Sequence, residues 1–305
     1  MNWTVGDMPS LDGRLAIVTG ANGGLGYETA LALAGAGAQV VVAARDAGKG
    51  EAAVARIKAR HPGAAARFEA LDLASLASVE ALAGRIAAAH GKLDILINNA
   101  GVMALPEREE TADGLERQMG VNYFGHFALT GRLLPLLRAG QGARVVQLSS
   151  LAHARRGGLD LDDLQSARSY TPWQAYSRSK LAMLMFALEL DRRSAAGGWG
   201  LVSNAAHPGW AASDLIANGM GRGLRARLIG LIWPLLAQST AEGALPTLYA
   251  ATAPEARGGA YYGPTGKGER KGPPGPAAIS ADAQDTASAK RLWEEAERLT
   301  GVRFA

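Results

Sequence analysis

Short apolar runs alternate with longer Ala- and Leu-rich segments along most of this chain. Seven runs have the character of strands: "LAIVTG", "QVVVAAR", "ARFEALDL", "LDILINNAG", "ARVVQLSS", "LVSNAAHPG" and, late in the chain, "AYY". Because they are largely apolar throughout rather than on alternate residues, they are typical of strands buried on both faces. Such strands, separated by helices, predict an α/β fold with a doubly wound parallel (Rossmann) sheet of about seven strands flanked by helices.

The segments between these runs predict the helices, at 25–38, 48–60, 78–90, about 112–139, about 174–196 and 285–299. Two regions interrupt the alternation. Residues 211–236 are rich in Gly, Arg and apolar side chains and predict a helical lid over the substrate, whereas 263–280 form a Pro/Gly loop. Because the pattern resumes after both regions, we expect residues 1–305 to form a single domain, with 263–305 as a C-terminal extension.

Charge and composition exclude several classes of function. The 32 basic and 28 acidic residues give a net charge of only +4, too weak and too scattered to indicate a nucleic-acid partner. The absence of cysteine removes disulfides and thiolate chemistry, and it fits a cytoplasmic location. The five histidines, at positions 61, 90, 126, 153 and 207, lack the spacing of metal ligands, so no metal site is expected.

The sequence indicates no membrane-spanning segment. The longest apolar run, "LIGLIWPLLA" from Leu228, is too short to cross a bilayer and contains a proline. The N-terminal "MNWTVGDMPSLDG" has neither the basic flank nor the apolar stretch of a signal peptide. We therefore expect a cytoplasmic protein without membrane contact, although the basic and apolar "RGLRARLIGLIWPLLA" would also suit a membrane surface.

The first strand runs into the glycine-rich turn "TGANGGLG", residues 19–26. Glycines allow tight turning and let a phosphate approach the backbone amides where the next helix begins. The alternative is a turn that needs glycines for its own geometry. The position of "TGANGGLG" between the first strand and the first helix favours dinucleotide binding. The candidate binding residues are Gly20, Asn22, Gly24, Leu25 and Gly26.

The end of the second strand bears on the choice of dinucleotide. An acidic residue there would accept a hydrogen bond from a ribose 2′-hydroxyl, whereas an arginine would accommodate a 2′-phosphate. The acidic position holds Ala44, and Arg45 follows it, which favours NADP. Asp46 leaves the alternative open, because its carboxylate could serve the 2′-hydroxyl and NAD would then be the cofactor.

Two further strand ends carry candidate cofactor-binding residues. In "LDL", Asp72 with Leu73 could receive the adenine amino group, although Asp72 could instead cap the helix that begins near Ser75. "NNAG" ends the fourth strand, where small and amide side chains would line the cofactor cleft at the carboxyl edge of the sheet. The alternative is a polar turn. The candidates there are Asn99, Ala100 and Gly101.

Two more motifs carry groups able to handle a proton. "QLSS" ends the fifth strand with Ser149 and Ser150, and a hydroxyl there could donate to a substrate carbonyl or simply cap the strand. It is not a nucleophile elbow, because no G-x-S-x-G surrounds it. In "QAYSRSKLAM", Tyr176 and Lys180 are four residues apart and so share a helix face. By itself this spacing describes either a surface pair or an acid and the cation that tunes it.

These pieces resemble the short-chain dehydrogenase/reductase family. "TGANGGLG", "NNAG", "VNYFGHF", "SSLAH", "YSRSK" and "HPG" occur in the family's order over about residues 11–265. "AARDAGKGEAAVARI", "LDLASLASVEALA" and "SSLAH" are most similar to its retinol-dehydrogenase-like branch. The resemblance implies a catalytic tetrad of Asn122, Ser150, Tyr176 and Lys180, with Ser149 as the fallback for the serine. It also implies cofactor contacts from Tyr176, Lys180, Pro208, Gly209 and Ser213, the last at a place often held by threonine.

The resemblance implies an NADP-dependent oxidoreductase that interconverts a small-molecule carbonyl and an alcohol by hydride transfer. Tyr176 would exchange the proton, Ser150 would hold the oxygen, and Asn122 would anchor a water for proton relay. An ordinary tyrosine has a pKa near ~10, so Lys180 is expected to lower it toward the operating pH. Family members are often dimers or tetramers through the helices on either side of the fifth strand, so a homo-oligomer is expected.

Three alternatives stay open. The same chemistry could act on a bulky retinoid, steroid or lipid-like substrate at a membrane surface, with 211–236 as an apolar lid rather than a helix pair packed on the core. Tyr170 could replace Tyr176, although it has Gln174 where Tyr176 has its lysine. A non-enzymatic NADP-sensing protein would need the glycine turn but not the Ser–Tyr–Lys set.

Overall fold

A computed structural model of the protein describes residues 2–155, 157–211 and 237–304. Eight strands form one sheet in the order β3-β2-β1-β4-β5-β6-β7-β8, and all neighbours are parallel except the last pair. The strands are Leu15–Thr19 (β1), Gln39–Ala44 (β2), Ala66–Ala70 (β3), Ile95–Asn98 (β4), Arg144–Leu148 (β5), Val202–Ala206 (β6), Tyr261–Pro264 (β7) and Pro274–Pro276 (β8). The predicted doubly wound parallel sheet is confirmed.

The helices lie on both faces of the sheet. They are Gly24–Gly35 (α1), Ala47–Arg60 (α2), Leu76–Ala89 (α3), Arg117–Met119 (α4), Gly125–Ala139 (α5), Pro172–Gly197 (α6), Thr240–Thr252 (α7), Ala281–Gln284 (α8) and Thr286–Thr300 (α9). Each of the two faces of the sheet carries its own core of buried apolar side chains. This explains why β1 and β4 are buried along their whole length and carry no polar alternation.

The strand order places a crevice at the carboxyl edge of the sheet. From β1 the chain winds outward to β2 and β3, then returns to β4 on the other side of β1. Loops leaving β1 and β4 therefore diverge, and such a switch point is where open α/β sheets bind ligands. The ends of β1, β2, β3, β4, β5 and β6 all carry candidate residues or lead directly to them.

Two local predictions differ from the structure. The helix predicted over about 112–139 begins at Arg117, because the buried Glu116 carboxylate caps it by accepting hydrogen bonds from the backbone N–H groups of Gln118 and Met119. A π-helical turn, Gly120–Phe124, then joins α4 to α5. The Pro/Gly loop predicted over 263–280 contains the end of β7 and all of β8, whose prolines are tolerated because it is an edge strand.

The C-terminal extension covers the outer faces of α5 and α6. Residues 181–190 of α6 are buried in an unbroken run, so every face of this helix is covered. Trp293 of α9 packs 5.0 Å from Phe127 of α5 and 5.6 Å from Phe186 of α6, between ring centroids. Phe304, beyond α9, adds a further ring 4.5 Å from Trp293. The C-terminal half of α5 stays partly open, because Pro135, Arg138 and Ala139 are exposed.

Several predictions concern features that the structure does not place. The helical lid near 211–236 and Ser213 lie outside the described residues, except for Ala211 at the start of the segment. Within the described ranges, no helix is both long and apolar enough to cross a membrane. Among the same residues, no three potential metal ligands come together.

Candidate active site

A cavity of about 760 Å³ opens at the carboxyl edge of the sheet. It is lined by nearly all of the predicted site residues: Gly20, Asn22, Gly24, Leu25, Gly26, Arg45, Asp72, Leu73, Asn99, Ala100, Gly101, Ser150, Tyr176, Lys180, Pro208 and Gly209. Asn122 is not among the described lining residues. One continuous site therefore runs from the glycine turn to Tyr176.

The glycine turn shows the tight geometry that a phosphate cradle needs. Gly20 has a φ of +66°, a conformation that side-chain-bearing residues rarely adopt. A Cβ on Gly26 would lie 2.4 Å from Asn99 Nδ2 and 2.6 Å from the Gly20 carbonyl oxygen. The missing side chain lets the N-terminus of α1 sit close to the end of β4. The first residues of α1 line the cavity, and the N-terminus of a helix is a favourable place for a phosphate.

The far end of the cavity is basic. Arg45 and Lys49 line it together with Asp46, and Ala44 supplies no carboxylate. The Asp46 carboxylate caps α2, because its Oδ1 accepts a hydrogen bond from the Lys49 backbone N–H at 2.9 Å. Its second oxygen lies 4.0 Å from Lys49 Nζ. The local sequence explains this arrangement, since Asp is a favoured N-cap and the helix begins one residue later.

Asp72 lies in the turn that follows β3, where it faces the cavity. Its Oδ1 accepts a hydrogen bond from the Ala74 backbone N–H at 2.9 Å. The alternative that Asp72 caps α3 is wrong. Ser75 is the cap, and its hydroxyl accepts from the Ser78 backbone N–H.

The structure separates the two serines at the end of β5. The Ser149 hydroxyl is buried and donates to the Lys180 carbonyl oxygen at 2.7 Å. The Ser150 side chain instead lines the cavity with Tyr176 and lowers the pKa of its phenol. It also accepts from the Ala152 backbone N–H at 3.2 Å, where a short 3-10 helix begins. The geometry therefore brings Ser150, and not Ser149, to the phenol.

Tyr176 is buried, with 5% of its surface exposed. Burial raises the pKa of its phenol to about 12, and the Ser150 side chain opposes this rise. Burial is therefore the largest influence on this pKa, and the tuning of Tyr176 by Lys180 stays a prediction. Lys180 Nζ lies 5.9 Å from the centre of the Tyr176 ring and donates to the Leu148 carbonyl oxygen at 2.8 Å. Burial also lowers the pKa of Lys180 to about 8.

Asn122 lies behind the cavity wall rather than in it. Its side-chain Oδ1 accepts from the Val102 backbone N–H at 2.8 Å, and its Nδ2 donates to the Val102 carbonyl oxygen at 3.0 Å. Nδ2 also donates to the Ser179 hydroxyl at 2.8 Å, which in turn donates to the Tyr176 carbonyl oxygen. The Asn122 side chain thus holds a cavity-lining strand end and the Tyr176 helix together.

The rival Tyr170 has a different setting. Its hydroxyl donates to the Leu105 carbonyl oxygen at 2.7 Å and accepts from Gln118 Nε2 at 2.8 Å. Tyr170 is not among the described residues that line the cavity. It holds the loop that follows β4, and of the two tyrosines only Tyr176 faces the cavity beside a lysine.

Sequence reasoning missed the apolar part of the cavity. Its wall beside Tyr176 is formed by Val102, Met103, Leu151, Ala152 and Trp173. Trp173 packs edge-on against Tyr176, with 6.0 Å between ring centroids, and keeps 44% of its surface exposed. Leu151 and Ala152 belong to "SSLAH", but Val102, Met103 and Trp173 belong to no motif. The one available signal was their position next to motif residues at strand ends.

Comparison with known proteins agrees with this geometry. The sequence pattern described as short chain dehydrogenase matches residues 14–219. Mouse polyprenol dehydrogenase is 44% identical over 301 residues, which cover 97% of this chain and 86% of that protein. Human retinol dehydrogenase 13 is 41% identical over 307 residues, 98% of this chain and 89% of that protein.

Solved structures show the same likeness. A protein from Mycobacterium paratuberculosis superposes over 100% of both chains with a TM-score of 0.81 at 40% identity. RhlG from Pseudomonas aeruginosa, solved as an NADP active-site complex, is 27% identical with a TM-score of 0.65. That match covers 83% of this chain and 94% of RhlG.

The chain belongs to the short-chain dehydrogenase family, and it is an oxidoreductase that takes a nicotinamide cofactor. Within that family it lies in the retinol-dehydrogenase-like branch. The resemblance drawn from the motifs is therefore confirmed.

Proposed function

We propose that this protein is an NADP-dependent oxidoreductase that interconverts a carbonyl and an alcohol, with Tyr176 as the general acid and base. The observation that carries the proposal is that Ser150, Tyr176 and Lys180 line the same cavity as the glycine turn. A bound nicotinamide would supply the hydride acceptor or donor. The chain itself would bind the substrate oxygen and move the proton.

The environment of Tyr176 suits proton donation to a carbonyl oxygen. A phenol whose pKa burial raises to about 12 holds its proton at neutral pH, as an acid must before it donates. Ser150 is placed to hold the same oxygen by a hydrogen bond and so keep it within reach of the phenol. In the reverse direction Tyr176 must first lose its proton, and the positive charge of Lys180 would stabilise the resulting tyrosinate.

NADP is the proposed cofactor because the ribose end of the cavity is cationic. Arg45 and Lys49 face it, and the Asp46 carboxylate is engaged as a helix cap. The NADP complex of RhlG supports this assignment. A charge-assisted hydrogen bond contributes about 1.5–3 kcal/mol, which is at least about a tenfold change in affinity.

We expect NADPH to be preferred over NADH by at least about tenfold in kcat/KM, and Arg45→Ala to remove most of that preference. NADH kinetics should stay nearly unchanged, because NADH lacks the 2′-phosphate. Steady-state kinetics with both cofactors measure this. Arg60→Ala, at the exposed end of α2 outside the described cavity lining, is the matched control. A parent enzyme that prefers NADH would assign the ribose to Asp46 instead.

The glycine turn offers a second test, of cofactor binding alone. Gly26→Ala would place a methyl group 2.6 Å from the Gly20 carbonyl oxygen, so backbone must shift. We expect the Kd for NADPH, measured by fluorescence titration, to rise at least about tenfold. Gly84→Ala is the control, because Gly84 is exposed on α3 with open space around it. Unchanged affinity in Gly26→Ala would show that the dinucleotide binds elsewhere.

A bulky apolar alcohol or aldehyde is the proposed substrate class. The apolar wall formed by Val102, Met103, Leu151, Ala152 and Trp173 supports it. So do the relatives, which are named for polyprenol and retinol. A panel of short polar and long apolar alcohols, followed at the nicotinamide absorbance band, tests this. Cofactor binding without turnover of any member would favour a sensing protein.

A cytoplasmic location and a homo-oligomeric state, dimer or tetramer, stay predictions. Because α9 packs against α5 and α6, it would lie at or near an interface formed by those two helices. Analytical ultracentrifugation of the full chain measures the state directly.

A further inference from the structure

His126, on α5, is completely buried and joins two parts of the site that are far apart in sequence. Its Nδ1 lies 2.8 Å from the Asn122 carbonyl oxygen, in the π-helical turn. Its Nε2 lies 2.9 Å from Thr19 Oγ1, at the end of β1. The ring therefore bridges the glycine turn and the turn that carries Asn122.

The hydrogen-bond partners determine which ring nitrogen carries the proton. A carbonyl oxygen only accepts, so Nδ1 of His126 must donate to Asn122. Thr19 Oγ1 accepts from the backbone N–H groups of Asn99 and Ala100, both at 2.9 Å, which leaves its own proton to donate. The Ile97 carbonyl oxygen lies 3.3 Å from Thr19 Oγ1, whereas His126 Nε2 lies 2.9 Å from it. The nearer atom, Nε2, therefore accepts the hydroxyl proton.

The electrostatic setting agrees with a neutral ring. Burial lowers the pKa of His126 to about 3, and the nearby charge of Lys180 lowers it further, against the raising effect of the hydrogen bond to Asn122. A neutral imidazole has one donor and one acceptor nitrogen, which is what its two partners require.

The two bonds of His126 act on opposite sides of the cavity. Thr19 holds the Asn99 and Ala100 backbone, which lines the cofactor side. Asn122 holds both backbone polar groups of Val102, a residue of the substrate wall, and reaches the Tyr176 carbonyl through Ser179. Only His126 among these groups contacts both Thr19 and Asn122 through its side chain within the described chain.

We infer that His126 is a positioning residue, neutral and protonated on Nδ1, that fixes the Asn122 turn relative to the glycine turn and so aligns the Tyr176 side of the site with the cofactor side. The kinetic part of this inference rests on the proposed oxidoreductase function. His126 touches neither substrate nor the reacting atoms, and acts through Asn122.

Three substitutions separate this role from simple packing. Phenylalanine keeps an aromatic ring at this position but removes the hydrogen bonds to Asn122 and Thr19. Asparagine places an amide donor at the position of Nδ1, and glutamine places its amide near Nε2. We expect His126→Phe to lower kcat at least about tenfold, since small displacements far from the chemistry can cost up to about 100-fold. The Kd for NADPH should stay within about threefold, because Thr19 can keep its contacts to Asn99 and Ala100.

The asparagine variant is expected to recover most of the lost kcat, and the glutamine variant is not. Thermal unfolding of all three variants shows how far stability changes. If loss of kcat follows loss of stability across the series, or if Phe and Asn are equally impaired, the role in positioning Asn122 is overturned. Parental kcat in His126→Phe would overturn it as well.

A spectroscopic test does not depend on turnover. In the full chain labelled with ¹⁵N-histidine, the His126 ring should show a proton on Nδ1 and none on Nε2, unchanged between about pH 5.5 and 8.5. The signal is assigned by its loss in His126→Asn. A ring protonated on Nε2, or one that titrates in this range, would overturn the inference. The Nδ1 tautomer in a protein that turns over no substrate would instead contradict the proposed function alone.

Discussion

Replacing Tyr176 with phenylalanine is expected to lower turnover by about 10²–10⁴-fold, the usual contribution of general acid–base catalysis. Phenylalanine keeps the buried ring and its edge-on packing against Trp173, and removes the hydroxyl whose pKa the Ser150 side chain lowers. Neither the glycine turn nor Arg45 depends on that hydroxyl. The Kd for NADPH should therefore stay close to that of the parent, so the loss lies in kcat.

Tyr170→Phe is the matched control. It removes a hydroxyl that bonds Leu105 and Gln118 in a loop, and we expect turnover to change far less. Steady-state kinetics, fluorescence titration of NADPH and thermal unfolding on both variants complete the comparison. Turnover of Tyr176→Phe within about threefold of the parent would refute the assignment, because no general acid would have been lost.

Replacing Lys180 with methionine is expected to slow alcohol oxidation by about 100-fold at pH 7, where a lysine with a pKa of about 8 still carries its charge. Lys180 Nζ lies 5.9 Å from the centre of the Tyr176 ring. At about 6 Å and an effective dielectric constant of about 20, a unit charge contributes about 3 kcal/mol to the tyrosinate. That energy corresponds to about a 100-fold change in the tyrosinate population.

The sign of the pH effect follows from the charge that is lost. Oxidation needs the tyrosinate, and a positive charge favours it, so removing Lys180 raises the pKa of Tyr176. The rising limb of the pH–rate profile for oxidation should therefore move to higher pH in Lys180→Met. Lys49→Met removes a cation at the other end of the cavity and should weaken NADPH binding without moving this limb. Superimposable profiles for the parent and Lys180→Met would contradict the tuning role.

Stability provides an internal check on the Lys180 variant. Its pKa is lowered to about 8 in the folded protein, below its ordinary value, so burying the charged form opposes folding. This penalty is fully present below pH 8 and fades as pH rises toward the unfolded value. Methionine carries no such penalty but leaves the Leu148 carbonyl without this donor. We expect the thermal midpoint at pH 7 to stay close to that of the parent, so the kinetic loss would not reflect unfolding.

The sequence could predict those parts of the site that depend on the residue pattern of a single strand or helix. The alternation of buried strands and helices determined the doubly wound sheet, because a strand apolar on both faces must be covered on both. The same pattern placed the motifs after strands, and strands running in parallel bring those ends to one edge. The spacing of Tyr176 and Lys180 determined that they share a helix face, since helical periodicity is local.

Partners that come from distant elements could not be predicted. The resemblance implied Ser150 as the site serine, but only contact with α6 shows that the Ser149 hydroxyl is bound to the Lys180 carbonyl oxygen. Asn122 was predicted to anchor a water, and this stays a prediction. The bonds of its side chain to Val102, in the loop after β4, and to Ser179, on α6, had no signal in the sequence. Side-chain hydrogen bonds are made across the fold, and sequence order does not encode them.

By itself, then, the sequence determined the family, the sheet and the position of nearly every cavity-lining motif residue. Tertiary structure alone decided the burial that shifts the pKa values of Tyr176, Lys180 and His126. It also decided the covering of α5 and α6 by α9. The pKa shifts and the covering of the helices have the same physical cause. The burial of a side chain depends on which other elements pack against it, and burial shifts the pKa of the side chain and removes its surface from solvent. Local periodicity specifies only which way a side chain points from its own element.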